Sequence, residues 1–143
     1  MRKEMDSILD AIRQRYPFLL IDRIVKIEKG KKVTGLKNVT FNEPYFQGHF
    51  PEEPVVPAVL LVESMAQLSS LLANKGSVAY LTAIYKATFL RKVVPGDQMI
   101  IESEIVKQVR NLVQVVCSVH VEQKKVARAE LGFMVFPGEK AHD

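Results

Sequence analysis

Between Glu53 and Lys75 the chain carries one charged residue, Glu63, inside an otherwise apolar and small-residue stretch that runs from Pro57 to about Asn74. Proline suits a first helical turn and Gly76 a position just past the end, so the spacing predicts a helix. Leu60, Leu61, Met65, Leu68, Leu71 and Leu72 leave it apolar on most sides. Such a helix must be buried, and it needs an apolar surface wrapped around it. A membrane span is not expected, because Pro54, Pro57, Glu63, Gln67 and paired serines interrupt a segment that barely reaches spanning length.

The rest of the chain supplies that surface. Six runs read as strands: Leu19 to Glu28, Lys32 to Thr40, Val78 to Leu90, Gln98 to Arg110, Leu112 to Gln123 and Val126 to Phe136. Hairpin turns are expected at Lys29-Gly30-Lys31, Pro95-Gly96-Asp97, Arg110-Asn111 and Lys124-Lys125. In the fifth run Val113, Val115, Cys117, Val119 and Val121 form one face and Gln114, Ser118, His120 and Glu122 the other. That alternation marks a half-buried antiparallel strand. One buried helix and six antiparallel strands give an α+β domain in which a curved sheet wraps the helix. A single domain over residues 1–143 is expected, with a short amphipathic helix over 1–13 (Met5, Ile8, Leu9, Ile12) stopped by Pro17, and a flexible tail over 137–143.

At 143 residues such a core forms without disulfides or metal, and the lone Cys117 reads as a small core residue. One cysteine and no signal-like amino terminus fit a reducing compartment, the cytoplasm. Lysine and arginine exceed aspartate and glutamate by 20 to 16, which suits an acidic partner but falls short of a nucleic-acid-binding signature.

Phe41 to Pro57 holds four prolines and one glycine and reads as a long ordered loop, with Tyr45, Phe46 and Phe50 packing it against the core. His49 lies in this loop, in Gly48-His49-Phe50-Pro51. Here the glycine is read as allowing close backbone approach and the proline as stiffening the exit. His120, on a polar strand face, and His142, in the tail, read as surface residues.

Glu63 is the second candidate. A carboxylate in an apolar helix carries a desolvation penalty of several kcal/mol unless paired, neutralised or functional. A carboxyl group out of water favours the protonated form and then has a proton to give. Gln67, one turn on, is placed to orient it. An imidazole base and a carboxylic acid are a matched pair for removing water across adjacent carbons. The first free amides of the helix, at Ala58 and Val59, are placed to stabilise an enolate-like oxygen. No metal-ligand spacing, glycine-rich phosphate loop or G-x-S-x-G elbow is present, so neither metal nor cofactor is expected.

Four motifs then carry a resemblance: Arg15 to Arg23 (RYPFLLIDR), Gly48-His49-Phe50-Pro51, Glu63-Ser64-Met65-Ala66-Gln67 and Val94-Pro95-Gly96-Asp97. Across about residues 14–136 the chain resembles the (3R)-hydroxyacyl-acyl-carrier-protein dehydratases of type II fatty acid synthesis. The resemblance implies a hot-dog fold, a homodimer often built into a trimer of dimers, and sites shared across the dimer, with His49 and Glu63 from different subunits. It implies that the histidine acts on the C2 proton and the glutamate on the C3 hydroxyl, giving a trans-2-enoyl thioester. It also implies an apolar acyl tunnel, assigned to Phe46, Phe50 and Pro57, and a basic mouth for the acidic acyl carrier protein, assigned to Arg91 and Lys92. The chain departs from the family's usual Pro-Gly-Val in having Pro57-Ala58-Val59, and it has Tyr85 and Thr88 where an acidic and a basic residue are commoner. Three alternatives stay open: a dehydratase that also isomerises, a hot-dog thioesterase, and a non-catalytic carrier-binding subunit.

Overall fold

A computed structural model describes residues 8–74 and 76–138. Six strands form one antiparallel sheet: β1 (Arg23–Glu28), β2 (Lys32–Asn38), β3 (Val78–Phe89), β4 (Gln98–Val109), β5 (Leu112–Val121) and β6 (Lys124–Phe136). Their order is β1-β2-β4-β5-β6-β3. The central helix α1 (Ala58–Ser69) lies across the sheet and tightens into a single 3₁₀ turn, Ser70–Leu72. The expected α+β hot-dog arrangement is what the chain adopts.

Strand alternation explains the packing. Met99, Ile101 and Ser103 of β4, Val115, Cys117 and Val119 of β5, and Ala127, Ala129, Leu131 and Phe133 of β6 are all buried at alternate positions. Leu61, Met65, Leu68, Leu71 and Leu72 meet them from the helix. Burying one such leucine contributes about 2 kcal/mol. Gly35 of β2 lets the helix come close, since a Cβ there would lie 2.5 Å from Leu68 Cδ1. The helix serines satisfy themselves inside the core: Ser64 donates to Leu60 O at 2.9 Å and Ser69 to Met65 O at 2.7 Å. Lys29, expected in an exposed turn, reaches the helix end and donates to the carbonyls of Leu71 and Ala73, each at 3.2 Å. A cation there opposes the negative end of the helix dipole.

Several boundaries differ from expectation. The first strand begins at Arg23, not Leu19; residues 19–22 form a non-strand strap with Leu20 and Ile21 buried. The β5–β6 turn is Glu122-Gln123, and Lys124 and Lys125 belong to β6. Both turn residues have positive φ, 51° and 67°, the geometry that matches the twist of a two-residue hairpin. Pro57 is the N-cap, with ψ 136°, so the helix proper begins at Ala58. Only residues 8–11 of the amino-terminal helix are described, with Ile8 and Ile12 buried as expected; its first seven residues, and 139–143 of the tail, lie outside the described residues.

Candidate functional site

Two segments leading into and along the central helix carry the candidate residues. The loop between β2 and the helix contains one 3₁₀ turn, Pro44–Gln47, whose Phe46 is buried. Past it, His49 Nδ1 lies 3.0 Å from the carbonyl oxygen of Val55. A carbonyl only accepts, so Nδ1 is the donor, and the tautomer this contact selects has its lone pair on Nε2. Val55 N–H donates back to His49 O at 3.2 Å, closing the loop on itself. The Phe50 ring stacks on the imidazole at 4.2 Å, and the peptide joining the two residues is cis. His49 is half-buried, Phe50 exposed and Pro57 half-buried.

The reading of Gly48 needs correction. Its φ of −113° is open to any residue, and a Cβ would meet nothing within 4 Å. Glycine is therefore not required by the packing of the single chain.

Glu63 is half-buried rather than fully buried. Gln67 Nε2 donates to Glu63 Oε2 at 3.1 Å and to Phe18 O at 2.7 Å. Gln67 Oε1 accepts from Leu20 N–H at 2.8 Å. The two backbone partners fix which end of the amide faces Glu63, leaving Glu63 Oε1 as the oxygen turned to other chemistry. Among the described residues, no hydrogen bond or ion pair joins His49 to Glu63 within one chain.

The helix entrance is open. Ala58 and Val59 are exposed, Val59 to 73%. The first amides that turn inward are those of Leu60 and Leu61, which both donate to Pro57 O. As first and second helical residues, Ala58 and Val59 present amides with no intrahelical acceptor.

The sequence reading missed a buried ionic group beside this loop. Lys37 of β2 is buried and lies 3.1 Å from Glu43 and 3.6 Å from Asp22. The signal was present in the alternation Val33, Gly35, Lys37, Val39, which puts one lysine on the apolar face of β2. Tyr45 lies in the same neighbourhood, and burial, with the charges of Glu43 and Asp22, pushes its phenol well up.

The other predicted residues fall as follows. Arg91 and Lys92 follow β3 on the surface, where Lys92 pairs with Glu53 at 3.1 Å, both largely exposed. Phe46 belongs to the core cluster. It also lines a groove of about 340 Å³, with Phe41, Asn42, Glu43, Gln47, Pro51 and Pro54, that includes neither His49 nor Glu63. Tyr85 is exposed on β3 and lays its hydroxyl over Gly132. Cys117 is buried as expected; burial pushes its thiol up, against hydrogen bonds with Ser103 and Ser69. Among the described residues no cluster of His, Cys, Asp or Glu is arranged to hold a metal ion.

Comparison with known proteins shows the family. The FabA-like domain model matches residues 12–130. A 3-hydroxyacyl-(acyl-carrier-protein) dehydratase FabZ of Magnetococcus marinus is 42% identical, covering 97% of this chain and 95% of the relative. One of Pelotomaculum thermopropionicum is 45% identical over 92% of this chain and 98% of its own. In three dimensions the dehydratase heterocomplex ApeI:P of Xenorhabdus doucetiae superposes with a TM-score of 0.76, at 10% identity, covering 92% of this chain and 91% of the other, a likeness of fold. A histidine held in one tautomer, a glutamate aimed by a buried glutamine and an open helix entrance thus sit in a chain that belongs to the FabA-like family of dehydratase domains.

Proposed function

We propose that this protein dehydrates (3R)-3-hydroxyacyl groups carried on acyl carrier protein to trans-2-enoyl thioesters in fatty acid elongation, with His49 as base and Glu63 as acid. The observation that carries the reading is the His49 Nδ1 contact with Val55 O. It leaves Nε2 as a proton acceptor of fixed direction, which is what abstraction at C2 requires.

In this reading the thioester carbonyl lies against the amides of Ala58 and Val59, which stabilise the oxygen as negative charge develops there. His49 Nε2 takes the C2 proton. The C3–O bond breaks, Glu63 gives its proton to the departing hydroxyl, and water leaves as the C2–C3 double bond forms. The imidazolium then returns a proton to the carboxylate, restoring both groups. The step needs no oxidant or reductant, since nothing is oxidised or reduced.

The working unit is a homodimer in this reading, with larger assembly as a trimer of dimers. Support comes from β3, a sheet edge twelve residues long that exposes Tyr80, Leu81, Ile84, Tyr85 and Phe89. A long apolar edge of this kind invites pairing with another strand. A second copy paired there would cover the open side of the helix at Glu63 and bring up the partner's loop, so that each site takes its histidine and glutamate from different chains. Phe50 and Pro57 then face the acyl chain, while Phe46 supports the loop from the core. The acidic carrier meets the exposed Arg91 and Lys92. The protein works in the cytoplasm, a reading supported by the single buried cysteine; no described helix is long and apolar enough to cross a membrane.

The test is incubation with 3-hydroxybutyryl-acyl carrier protein while following enoyl absorbance and analysing products. A trans-2-enoyl product is expected. Free acid without enoyl product would replace the reading with thioester hydrolysis, a cis-3 product would add isomerisation, and carrier binding without turnover would leave a non-catalytic subunit.

A further inference from the structure

We propose that Lys37 is a positioning residue for His49, acting through its buried ion pair with Glu43; the inference rests on the reading of His49 as the base. The Lys37 side chain is 9% exposed and that of Glu43 13%. Its neighbours on the same strand face, Val33, Gly35 and Val39, are buried. An ammonium in such a place is costly unless well paired, and an apolar side chain would fill the same space without that cost. What the ion pair adds is direction, because both acceptors come from segments outside the sheet.

Glu43 is where the loop is gripped. Its Oε2 takes the Lys37 ammonium at 3.1 Å and the Thr40 amide at 3.2 Å. Glu43 is also the N-cap residue of the turn Pro44–Gln47, and its carboxylate makes no capping bond to that turn. The side chain is turned back to Lys37 instead. One residue beyond the turn comes Gly48, and then His49. At the other end the loop is fixed by Val56 N–H to Val93 O at 2.8 Å. His49 therefore lies between two anchored points, and Lys37 holds the one on the entry side.

Asp22, the second acceptor, extends the tether. Its Oδ2 also accepts from Asn38 N–H at 2.7 Å, and it lies two residues past Leu20, whose amide engages Gln67. Lys37 thus stands where the strap beneath Glu63 and the loop bearing His49 are tied to one strand.

The test compares Lys37→Met, Glu43→Gln and the double variant K37M/E43Q, which buries no unmatched charge, with the wild type. Turnover of 3-hydroxyacyl-acyl carrier protein is measured per folded protein, and the His49 ring resonance, identified by its loss in His49→Ala, is followed by NMR. We expect kcat to fall about ten- to a hundredfold with KM little changed, the scale of a slightly displaced reacting group. The His49 resonance should shift or broaden while that of His120 stays. A folded variant of the three with wild-type kcat and an unmoved His49 resonance overturns the proposal; a change in thermal stability alone would mark Lys37 as structural and overturn it too. Should His49→Ala keep full turnover, the acid–base reading fails instead, and the resonance in the Lys37 variants still decides whether Lys37 positions the ring.

Discussion

Gln67 Nε2 donates to Glu63 Oε2 at 3.1 Å while the rest of the Gln67 amide is committed to the backbone of Phe18 and Leu20. The glutamine is 1% exposed, so all its bonds are made out of water, where losing a partner is costly. Gln67→Met keeps the volume and strands the Leu20 amide and the Phe18 carbonyl. We expect a loss of about 2–6 kcal/mol in stability, roughly 1–3 for each of the two groups left unpaired, together with slower turnover as Glu63 loses its orientation. Urea denaturation and steady-state kinetics on the folded fraction measure the two effects separately.

His49→Ala and Glu63→Gln should each reduce turnover by about 10² to 10⁴, the range of general acid–base catalysis. Neither side chain holds the core together, so circular dichroism and thermal midpoint should stay close to wild type. Normal turnover by either variant would remove that residue from the mechanism.

Ala58→Pro separates the helix entrance from the side chains. Proline is favoured at the first helical position and lacks only the amide hydrogen. Pro57, with ψ 136°, already has the extended conformation that a residue before proline needs. The helix should form normally while kcat falls about 10²–10³-fold, the effect of deleting one oxyanion donor. A full kcat with intact structure would show that the Ala58 amide does not contact the substrate.

Gly35→Ala tests the closest approach of helix and sheet. The new methyl would meet Leu68 Cδ1 at 2.5 Å and Arg23 O at 3.2 Å, and Leu68, itself fully buried, must turn its side chain within the core. Overpacking of this kind costs about 1–3 kcal/mol. Denaturant midpoints should fall accordingly, at an unchanged slope.

Cys117 gives a pH prediction. Burial raises its thiol above the ordinary value of 9.0, so the folded protein keeps the neutral thiol where the unfolded chain ionises. Stability from this group is complete below about pH 9 and is lost as pH rises toward the folded value. Cys117→Ala should flatten that alkaline fall in a stability–pH profile. The native thiol should also resist alkylating reagents until the protein unfolds.

Much of this molecule was legible from residue order. The burial demand of the Pro57–Asn74 stretch called for a wrapping sheet, and the alternation of Val115, Cys117, Val119 and Val121 fixed the inward face of β5. Those signals are local, because period and apolarity are properties of consecutive residues. A lone charge in an apolar helix and a histidine in a proline-rich loop drew attention to Glu63 and His49 for the same reason.

What tertiary structure alone decided were the partners. Phe18 and Leu20 as the anchors of Gln67 depend on where segments 47 and 49 residues apart meet, while Val55 as the acceptor that sets the His49 tautomer and Lys37 as the grip on Glu43, each pair 6 residues apart, depend on how the loop folds back on itself. Hydrogen bonds act over about 3 Å and only along favourable directions. No pattern of neighbouring letters encodes them until the helix has been seated on the sheet and the strap and loop have closed around it.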